Sequence, residues 1–257
     1  MVSSTGLVAR KNIAINAARQ AGRVLSSRFG QIKKIRAKGD RDLVTDIDLA
    51  AEAIIKDQIT NRFPQDNIIS EENPIEHESD YTWIIDPLDG THNYIHNIDV
   101  FGVSIALAYK DEVIVGVVYI PQEDGLYVAQ RTKGAYRNGK RILVSQRRLR
   151  QATLIFDSSI RYQKNRMLKD LGRLVENVFN VRMFGSTARG LTYVAEGQAE
   201  AEIEYNDKLW DFAAGLLLVE EAGGRATDLY GRKWNIKTKG YVASNGRIHN
   251  KVLALIK

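Results

Sequence analysis

"YTWIIDPLDGTHNYIHN", residues 81–97, joins an apolar segment to two carboxylates spaced three residues apart. The apolar half predicts a buried strand that delivers Asp86 to its end. Pro87 and Gly90 are typical of a turn. Two interpretations are open: an Asx-type turn that caps a helix, or a site that holds cations against a phosphate. The turn explains each residue singly but not the order Asp-Pro-Leu-Asp-Gly-Thr.

The chemistry of this segment favours the cation site. Divalent cations such as Mg²⁺ take oxygen ligands from a few carboxylates, water and substrate phosphate. Asp86 is placed to bridge two ions, while Pro87 stiffens the turn and removes an N–H that would compete for carboxylate oxygens. The Leu88 carbonyl is then free to point inward. Gly90 and Thr91 begin a predicted helix, whose free N–H groups are suited to an anion.

Further acidic residues stand where the chain leaves regular structure. Glu71 follows a short predicted strand, Asp48 lies at a helix start and Asp211 opens another helix. Taken singly, Asp48 and Asp211 are best interpreted as helix N-caps. Taken together with Asp86 and Asp89, they predict a carboxylate-rich site.

Composition restricts the class of protein. The chain has 257 residues, 44% hydrophobic and 26% charged, which is ordinary for a globular protein. The formal charge of +6 and the pI near 9.4 suit anionic substrates. The densest basic cluster, "QRRLRQ" at 146–151, is short and lacks aromatic residues. We therefore expect no dedicated nucleic-acid surface.

Cysteine is absent, which excludes disulfides, zinc–thiolate sites and thiol nucleophiles. The N-terminal stretch has no apolar signal core, and the longest apolar run, 113–120, is far shorter than a membrane span. We expect a cytoplasmic protein without membrane association.

Hydrophobic periodicity predicts a mixture of helices and strands. Helices are predicted over 7–29, 48–63, 164–178, 185–197 and 211–224. Strands are predicted at 68–69, 82–85, 152–159, 181–184 and 199–205, with an antiparallel meander over 101–145. The expected organisation is an α+β lobe, residues 1–145, packed on an α/β lobe, residues 146–257.

Five segments, in this order, resemble the inositol monophosphatase family of metal-dependent, lithium-sensitive sugar phosphatases: "DLVTDID", "SEE", "WIIDPLDGTHNYIH", "GSTARGLTYVAEG" and "WDFAAGLLLVEEAGG". The resemblance runs from Lys38 to the "VASNG" segment, 242–246. It implies a layered αβαβα sandwich of the inositol monophosphatase / fructose-1,6-bisphosphatase type, an α+β or α/β fold.

The resemblance also implies roles for individual residues. Glu71, Asp86 and the Leu88 carbonyl would hold one metal, Asp86, Asp89 and Asp211 a second, and Glu71 a third. The implied catalytic residues are Asp48, Thr91 and Glu71, with Thr91 and Asp48 orienting the attacking water. The implied substrate-binding residues are Asp89, Gly90, Thr91, Gly185, Ser186, Thr187, Glu204 and Asp211. Lys38 matches a family lysine only across a one-residue gap.

The expected reaction is hydrolysis of a phosphate monoester by in-line attack of activated water, with two or three Mg²⁺ ions. Mn²⁺ is the expected substitute, Li⁺ and Ca²⁺ are the expected inhibitors, and the expected assembly is a homodimer. Inositol 1-phosphate ranks first as substrate, before fructose 1,6-bisphosphate, histidinol phosphate and 3′-phosphoadenosine 5′-phosphate. Binding of RNA or the transcription machinery without catalysis is an alternative from another class.

Four residues are candidates for the substrate rim: Ser158, Ser159, Arg161 and Arg182. The serines end a predicted strand, where ligands of open α/β sheets bind, and the arginines are placed to meet a second phosphate. His92 and His96 are interpreted as loop contacts, since an oxygen-rich magnesium site does not need them. His92 and Arg189 depart from the family pattern and are expected to affect substrate choice.

Overall fold

Seven strands form the larger of the two main sheets in the computed structural model, which describes residues 4–31, 35–39, 42–71 and 73–256. In spatial order they are β3 (Asn67–Ser70), β4 (Tyr81–Asp89), β5 (Gly102–Tyr109), β6 (Glu112–Ile120), β7 (Gly125–Gln130), β8 (Gly134–Arg137) and β9 (Lys140–Arg141). β3 runs parallel to β4, and the remaining pairs are antiparallel, which confirms the predicted meander. A separate hairpin joins β1 (Ile35–Gly39) to β2 (Asp42–Thr45).

The strand that carries the Asp-Pro-Leu-Asp segment is longer than the sequence predicts. We expected it to end at residue 85 in a turn, but β4 continues to Asp89. Asp86 pairs with Ser104 and Asp89 with Gly102, so the segment has one residue more than its partner. Because proline cannot donate a ladder hydrogen bond, the chain accommodates Pro87 in a bulge. The bulge redirects the backbone between the two carboxylates without ending the strand.

The smaller sheet has five strands. In spatial order they are β11 (Asn180–Arg182), β10 (Thr153–Phe156), β12 (Ala201–Glu204), β14 (Tyr241–Ser244) and β13 (Arg225–Asp228). β10 is parallel to both of its neighbours, whereas β14 is antiparallel to β12 and β13. Because β10 and β12 are parallel, Asp157 and Glu204 lie towards the same edge of this sheet.

Helices form the three other layers. They are α1 (Ser4–Arg28), α2 (Asp46–Arg62), α3 (Thr91–Ile95), α4 (Lys164–Val175), α5 (Thr187–Ala195), α6 (Leu209–Glu221) and α7 (His249–Leu255). α1 and α2 cover the outer face of the larger sheet, α5 and α6 lie between the sheets, and α4 and α7 cover the smaller sheet. The fold is therefore the predicted αβαβα sandwich, in the α+β class.

Small residues allow the central helices to approach their neighbours closely. A Cβ on Gly116 of β6 would lie 2.6 Å from the Ala214 carbonyl oxygen, and one on Gly215 would lie 2.4 Å from Leu191. Such contacts exclude any side chain larger than hydrogen. They fix α6 against both β6 and α5, and thereby fix the residues at the start of α6.

The larger sheet ends at Arg141 and the smaller begins at Thr153, and we keep the division into residues 1–145 and 146–257 as a proposal. No helix among the described residues is both long and apolar enough to cross a membrane.

Candidate active site

Three carboxylates from two elements converge beside the bulge. Asp86 and Asp89 come from β4, and Asp211 comes from the first turn of α6. Each offers one oxygen, and these oxygens all lie within 4.8 Å of one another. A donor set of oxygens alone suits a hard divalent cation such as Mg²⁺. The group is able to hold a metal ion.

Glu71 lies next to this group because β3 is parallel to β4. Ser70, the last residue of β3, pairs with Ile85, so Glu71 follows the end of β3 beside Asp86 of β4. Burial raises the pKa of Asp86 well above its usual range, and the charges of Glu71 and Asp89 raise it further. We define Glu71, Asp86, Asp89 and Asp211 as the metal-side carboxyls. Their mutual repulsion makes an incoming cation favourable here.

Asp89 is held by the start of α5. Thr187 N donates to Oδ1 at 3.1 Å, and Ala188 N donates to Oδ2 at 3.1 Å. The Ser186 hydroxyl also donates to Oδ2. Burial raises the pKa of Asp89 to about 7, although the hydrogen bond from Ser186 favours the charged form. The predicted substrate residues Ser186 and Thr187 thus contact a candidate metal ligand directly.

Asp48 and Thr91 form a second polar unit next to the bulge. The Thr91 hydroxyl lies 3.1 Å from Asp48 Oδ1 and 2.9 Å from the Leu88 carbonyl oxygen. Its single proton is donated to one of them at a time. Thr45 fixes the other Asp48 oxygen through its backbone N–H, at 2.9 Å, and its hydroxyl. Burial raises the pKa of Asp48. The N-cap of α2 is Thr45, and Asp48 is the N3 residue of a capping box rather than the N-cap that its sequence position suggested; Asp211 likewise stands at N3, behind Lys208. Asp48 also contacts Thr91.

Asp86 makes one of the local contacts that the turn interpretation predicts. Leu88 N donates to Asp86 Oδ1 at 3.0 Å. The missing N–H of Pro87 leaves this one backbone donor to orient the carboxylate. The Asx-type contact and the carboxylate cluster therefore occur in the same segment.

The loop that follows is connected to the start of α5 by Asn93. Its Nδ2 donates to Phe184 O at 2.7 Å and Val100 O at 2.8 Å. Gly90 has a φ of +86°, and a Cβ there would lie 2.8 Å from Val100 O. Glycine is therefore required at this position. Gly185 has a φ of +67° and lies beside Asn93, so Asn93 lies between Gly90 and Gly185.

A second acidic group lies at the end of the smaller sheet. The Glu204 carboxyl hydrogen-bonds to Asp157, and burial, then the charges of Asp207 and Asp157, raise the pKa of Glu204 well above its usual range. The Asp207 carboxyl hydrogen-bonds to Asp211. Sequence reasoning missed Asp207, although its position between Glu204 and Asp211 in "EYNDKLWD" is a usable signal.

The rim candidates differ in their surroundings. Ser159 donates its backbone N–H to Asp157 at 2.5 Å, and Ser158 is exposed. The Arg161 guanidinium stacks on Tyr162, 4.4 Å from the ring centroid. Arg182 is exposed and donates to Asn180 Oδ1 at 2.5 Å. Lys38 is in β1, but its side chain lies outside the described residues.

Two other interpretations change with the structure. His92 and His96 lie on and directly after α3, exposed and with ring centroids 4.4 Å apart, rather than hydrogen-bonded inside a loop. Arg189 is buried. It contacts Glu123 and stacks on Tyr193 at 3.9 Å, so it anchors α5 in the interior. Among the described residues, the group able to hold a metal contains neither histidine.

An αβαβα sandwich with an oxygen-only group able to hold a metal is the arrangement that the sequence resemblance implies for a metal-dependent phosphatase. A family model described as "Inositol monophosphatase family" matches residues 9–257. An inositol-1-monophosphatase of Mesorhizobium japonicum is 37% identical over 253 residues, covering 96% of this chain and 95% of that protein. The Escherichia coli K12 protein named Nus factor SuhB is 39% identical over 250 residues, covering 95% and 94%.

Solved structures agree with the family model. The suhB protein from Bartonella henselae superposes with a TM-score of 0.94 at 35% identity, covering 97% of this chain and 98% of that chain. The chain belongs to the inositol monophosphatase family, whose members are metal-dependent phosphoric monoester hydrolases.

Proposed function

We propose that the protein hydrolyses inositol 1-phosphate to inositol and phosphate, using two or three Mg²⁺ ions. The convergence of Asp86, Asp89 and Asp211 within 4.8 Å carries the proposal, because it supplies the oxygen ligands that Mg²⁺ and a phosphate monoester require together. Glu71 and the Leu88 carbonyl complete the proposed ligand set. Bound divalent cations supply Lewis-acid chemistry: they lower the pKa of water and neutralise phosphoryl charge.

Thr91 and Asp48 are the proposed proton acceptors. The Thr91 hydroxyl accepts a proton from the attacking water and passes its own to Asp48 Oδ1, 3.1 Å away. Thr45 keeps Asp48 oriented during this transfer. The backbone N–H groups of Gly90 and Thr91 face the phosphoryl oxygens in the proposed complex. Glu204 binds a hydroxyl of the alcohol, and Gly185, Ser186 and Thr187 form the adjoining wall.

The test is a panel of phosphate monoesters: inositol 1-phosphate, fructose 1,6-bisphosphate, histidinol phosphate and 3′-phosphoadenosine 5′-phosphate. Phosphate release is measured with Mg²⁺, with Mn²⁺, with chelator, and with Li⁺ or Ca²⁺ added to Mg²⁺. We expect Mg²⁺-dependent release that is fastest for inositol 1-phosphate, partly restored by Mn²⁺ and inhibited by Li⁺ and Ca²⁺. Asp89→Asn is the inactive control, expected to retain the fold. Faster release from any other member of the panel would contradict the proposed substrate.

Fructose 1,6-bisphosphatase activity is the nearest alternative. A Thermotoga maritima relative named fructose-1,6-bisphosphatase/inositol-1-monophosphatase is 34% identical over 249 residues. Its name combines both activities, so the ratio of the two rates in the panel decides how this chain divides them.

Association with nucleic acid is a candidate from a different class. It is favoured by the formal charge of +6 and by the relatives named Nus factor SuhB. A gel shift with RNA at physiological salt tests it. Retention of RNA without phosphate release from any monoester would favour binding over catalysis.

Homodimer formation and a cytoplasmic location remain part of the proposal. Apolar side chains beside the edge strand β11 support self-association, since Phe179 is 77% and Val175 52% exposed. Light scattering of the purified protein tests the dimer, and a mass of one chain would contradict it.

A further inference from the structure

His92 and His96 lie one helical turn apart, just after the segment that carries Asp86 and Asp89. His92 belongs to α3, and His96 directly follows its last residue. The His96 N–H donates to the His92 carbonyl oxygen at 3.2 Å, which is the backbone hydrogen bond of an α-helix. Residues at this spacing are neighbours on one face of a helix. Both side chains therefore extend from the same side of the turn.

The two imidazole rings are close enough together to share a ligand. Their centroids are 4.4 Å apart, with an angle of 40° between the ring planes. Both side chains are exposed. Within the described part of the chain, neither ring forms a hydrogen bond or an ion pair with another residue. The ring nitrogens of His92 and His96 are therefore available to a ligand from solvent.

This arrangement suits one kind of ligand, a transition-metal ion. Imidazole nitrogen binds Zn²⁺, Cu²⁺ and Ni²⁺, and two histidines four residues apart on a helix hold Zn²⁺ in metalloproteases. Two nitrogens that each lie about 2.0–2.1 Å from one ion are at most about 4.2 Å from each other. Exposed rings with centroids 4.4 Å apart can reach this separation by rotation about their side-chain bonds.

The histidine pair differs in chemistry from the metal-side carboxyls. Asp86, Asp89 and Asp211 offer oxygen atoms, which suit Mg²⁺, whereas imidazole favours the later first-row transition metals. An excess of Mg²⁺ should therefore occupy the carboxyls and leave the histidines available. The two sites are expected to select different ions, although Asp89 and His92 are only three residues apart in the chain.

We propose that His92 and His96 chelate one first-row transition-metal ion, Cu²⁺, Ni²⁺ or Zn²⁺, at a site separate from the metal-side carboxyls. Water molecules complete the coordination of the ion. Cu²⁺ should bind most tightly of the three, as it does at most nitrogen sites. The inference goes beyond the proposed phosphatase function and does not depend on it.

Calorimetric titration of the full chain with Cu²⁺, and separately with Zn²⁺, in excess Mg²⁺ tests the site. His92→Gln and His96→Gln each change an exposed side chain and leave one histidine. Either substitution should weaken binding at least about 10-fold, because the second nitrogen of a chelate binds at a high effective concentration. His77→Gln is the matched control, since His77 is an exposed histidine between β3 and β4. It should bind both ions as wild type does.

Electron paramagnetic resonance of the Cu²⁺-loaded protein identifies the ligand atoms. Wild type should show hyperfine coupling to imidazole nitrogen from two rings, and each single variant should lose the coupling of one ring. The same spectrum is expected in Asp86→Asn, whose acidic site is altered while its histidines are intact. Phosphate release is not a readout here, so an inactive protein tests the site equally well.

The outcomes decide the proposal in either direction. Weakened binding in both His92→Gln and His96→Gln, with His77→Gln unchanged, supports it. Equal affinity in wild type and both variants, or a Cu²⁺ spectrum with oxygen ligands alone, would overturn it. A loss in only one of the two variants would indicate a single ligating histidine and exclude the chelate. Binding that persists in the histidine variants but disappears in Asp86→Asn would assign the ion to the metal-side carboxyls instead.

Discussion

Two groups of buried charged residues in this molecule differ in how their charge is balanced. Asp66 is 5% exposed. Its carboxylate accepts hydrogen bonds from Nε and Nη2 of Arg10, both at 2.8 Å, and from Trp83 Nε1 at 2.9 Å. Arg10 is itself held between the rings of Phe63 and Tyr81, at 4.0 and 3.8 Å. The protein thus supplies every partner that this ion pair needs.

Asp86 and Asp211 differ from this pair, because the charged groups that act on them most strongly are themselves acidic. The charged groups that act on Asp86 are Glu71 and Asp89, and those that act on Asp211 are Asp207, Asp86 and Asp89. A buried charge without an opposite charge is costly. The protein therefore neutralises the buried charge of Asp66 with its own Arg10. It leaves the charge at Asp86 and Asp211 unbalanced, where a cation is expected to bind.

The largest effect should follow Asp86→Asn. Removing the bridging carboxylate should lower kcat/KM at least about 10⁴-fold, which corresponds to about 5.4 kcal/mol. The metal-free protein should be no less stable than wild type, since the substitution removes a repelling charge. Steady-state kinetics and urea unfolding in chelator measure the two effects. A variant that retains activity would remove Asp86 from the proposed metal site.

Asp66→Asn should lower stability and leave activity unchanged, which is the opposite of what Asp86→Asn should do. Loss of the carboxylate leaves Arg10 buried without its counter-charge, so the free energy of unfolding should fall by about 3–5 kcal/mol. Activity per folded molecule should stay unchanged. The control is Asp80→Asn, which breaks an exposed contact with Lys110 and should cost less than about 1 kcal/mol. Equal losses of unfolding free energy in Asp66→Asn and Asp80→Asn would contradict the expected difference between a buried and an exposed ion pair.

A smaller, pH-dependent effect is expected at His249. Burial, with a smaller effect from Arg225, lowers the pKa of His249 to about 4. The unfolded chain therefore takes up a proton between about pH 6.5 and 4, and the folded chain does not. The corresponding stability is fully present above pH 6.5 and is lost as the pH falls, by up to about 3 kcal/mol.

Urea unfolding at pH 7 and pH 4.5 tests this expectation in wild type and His249→Gln. The ring bonds Ser244 Oγ at 2.8 Å and Thr227 Oγ1 at 2.9 Å, so the variant is less stable at both pH values. Its dependence on pH should nevertheless be shallower than that of wild type. Parallel pH profiles would show that another group is responsible.

The smallest effect is the stabilisation by the cation. A ligand at 100 times its Kd raises the free energy of unfolding by about 2.7 kcal/mol, or about 5–10 °C in Tm for a chain of this size. Mg²⁺ should raise the Tm of wild type, while Na⁺ at equal ionic strength should not. In Asp86→Asn the Mg²⁺ shift should disappear. An equal Mg²⁺ shift in wild type and variant would place the bound cation elsewhere.

Much of the fold was predictable, because its signals are local. The helix predicted over 48–63 becomes Asp46–Arg62, since Thr45 caps its start and Pro64 follows its end. The end of β4 was predicted wrongly at residue 85. Proline normally ends a strand, and only pairing with β5 shows that the strand passes Pro87 through a bulge. A single sequence carries no signal for that pairing.

The candidate site was predictable where motif order indicated it. Glu71, Asp86, Asp89 and Asp211 were all named from the sequence, and the structure brings Asp86, Asp89 and Asp211 together. Asp207 was missed because a carboxylate between a strand and a helix resembles a solvated loop residue unless its spacing from Glu204 and Asp211 is considered. The amides of Thr187 and Ala188 were not foreseen as partners of Asp89, since backbone groups have no signature in sequence.

The contact between Asp89 and the start of α5 has a consequence for synthesis of the chain. Its partners, Ser186, Thr187 and Ala188, follow it by 97, 98 and 99 residues. At about 5–20 residues per second, a ribosome adds them about 5–20 seconds after Asp89. During that interval the nascent chain contains the Asp-Pro-Leu-Asp-Gly-Thr segment without the donors that orient Asp89. Such a chain already contains the candidate metal ligands of β4, but the site that they form with later residues is not yet assembled.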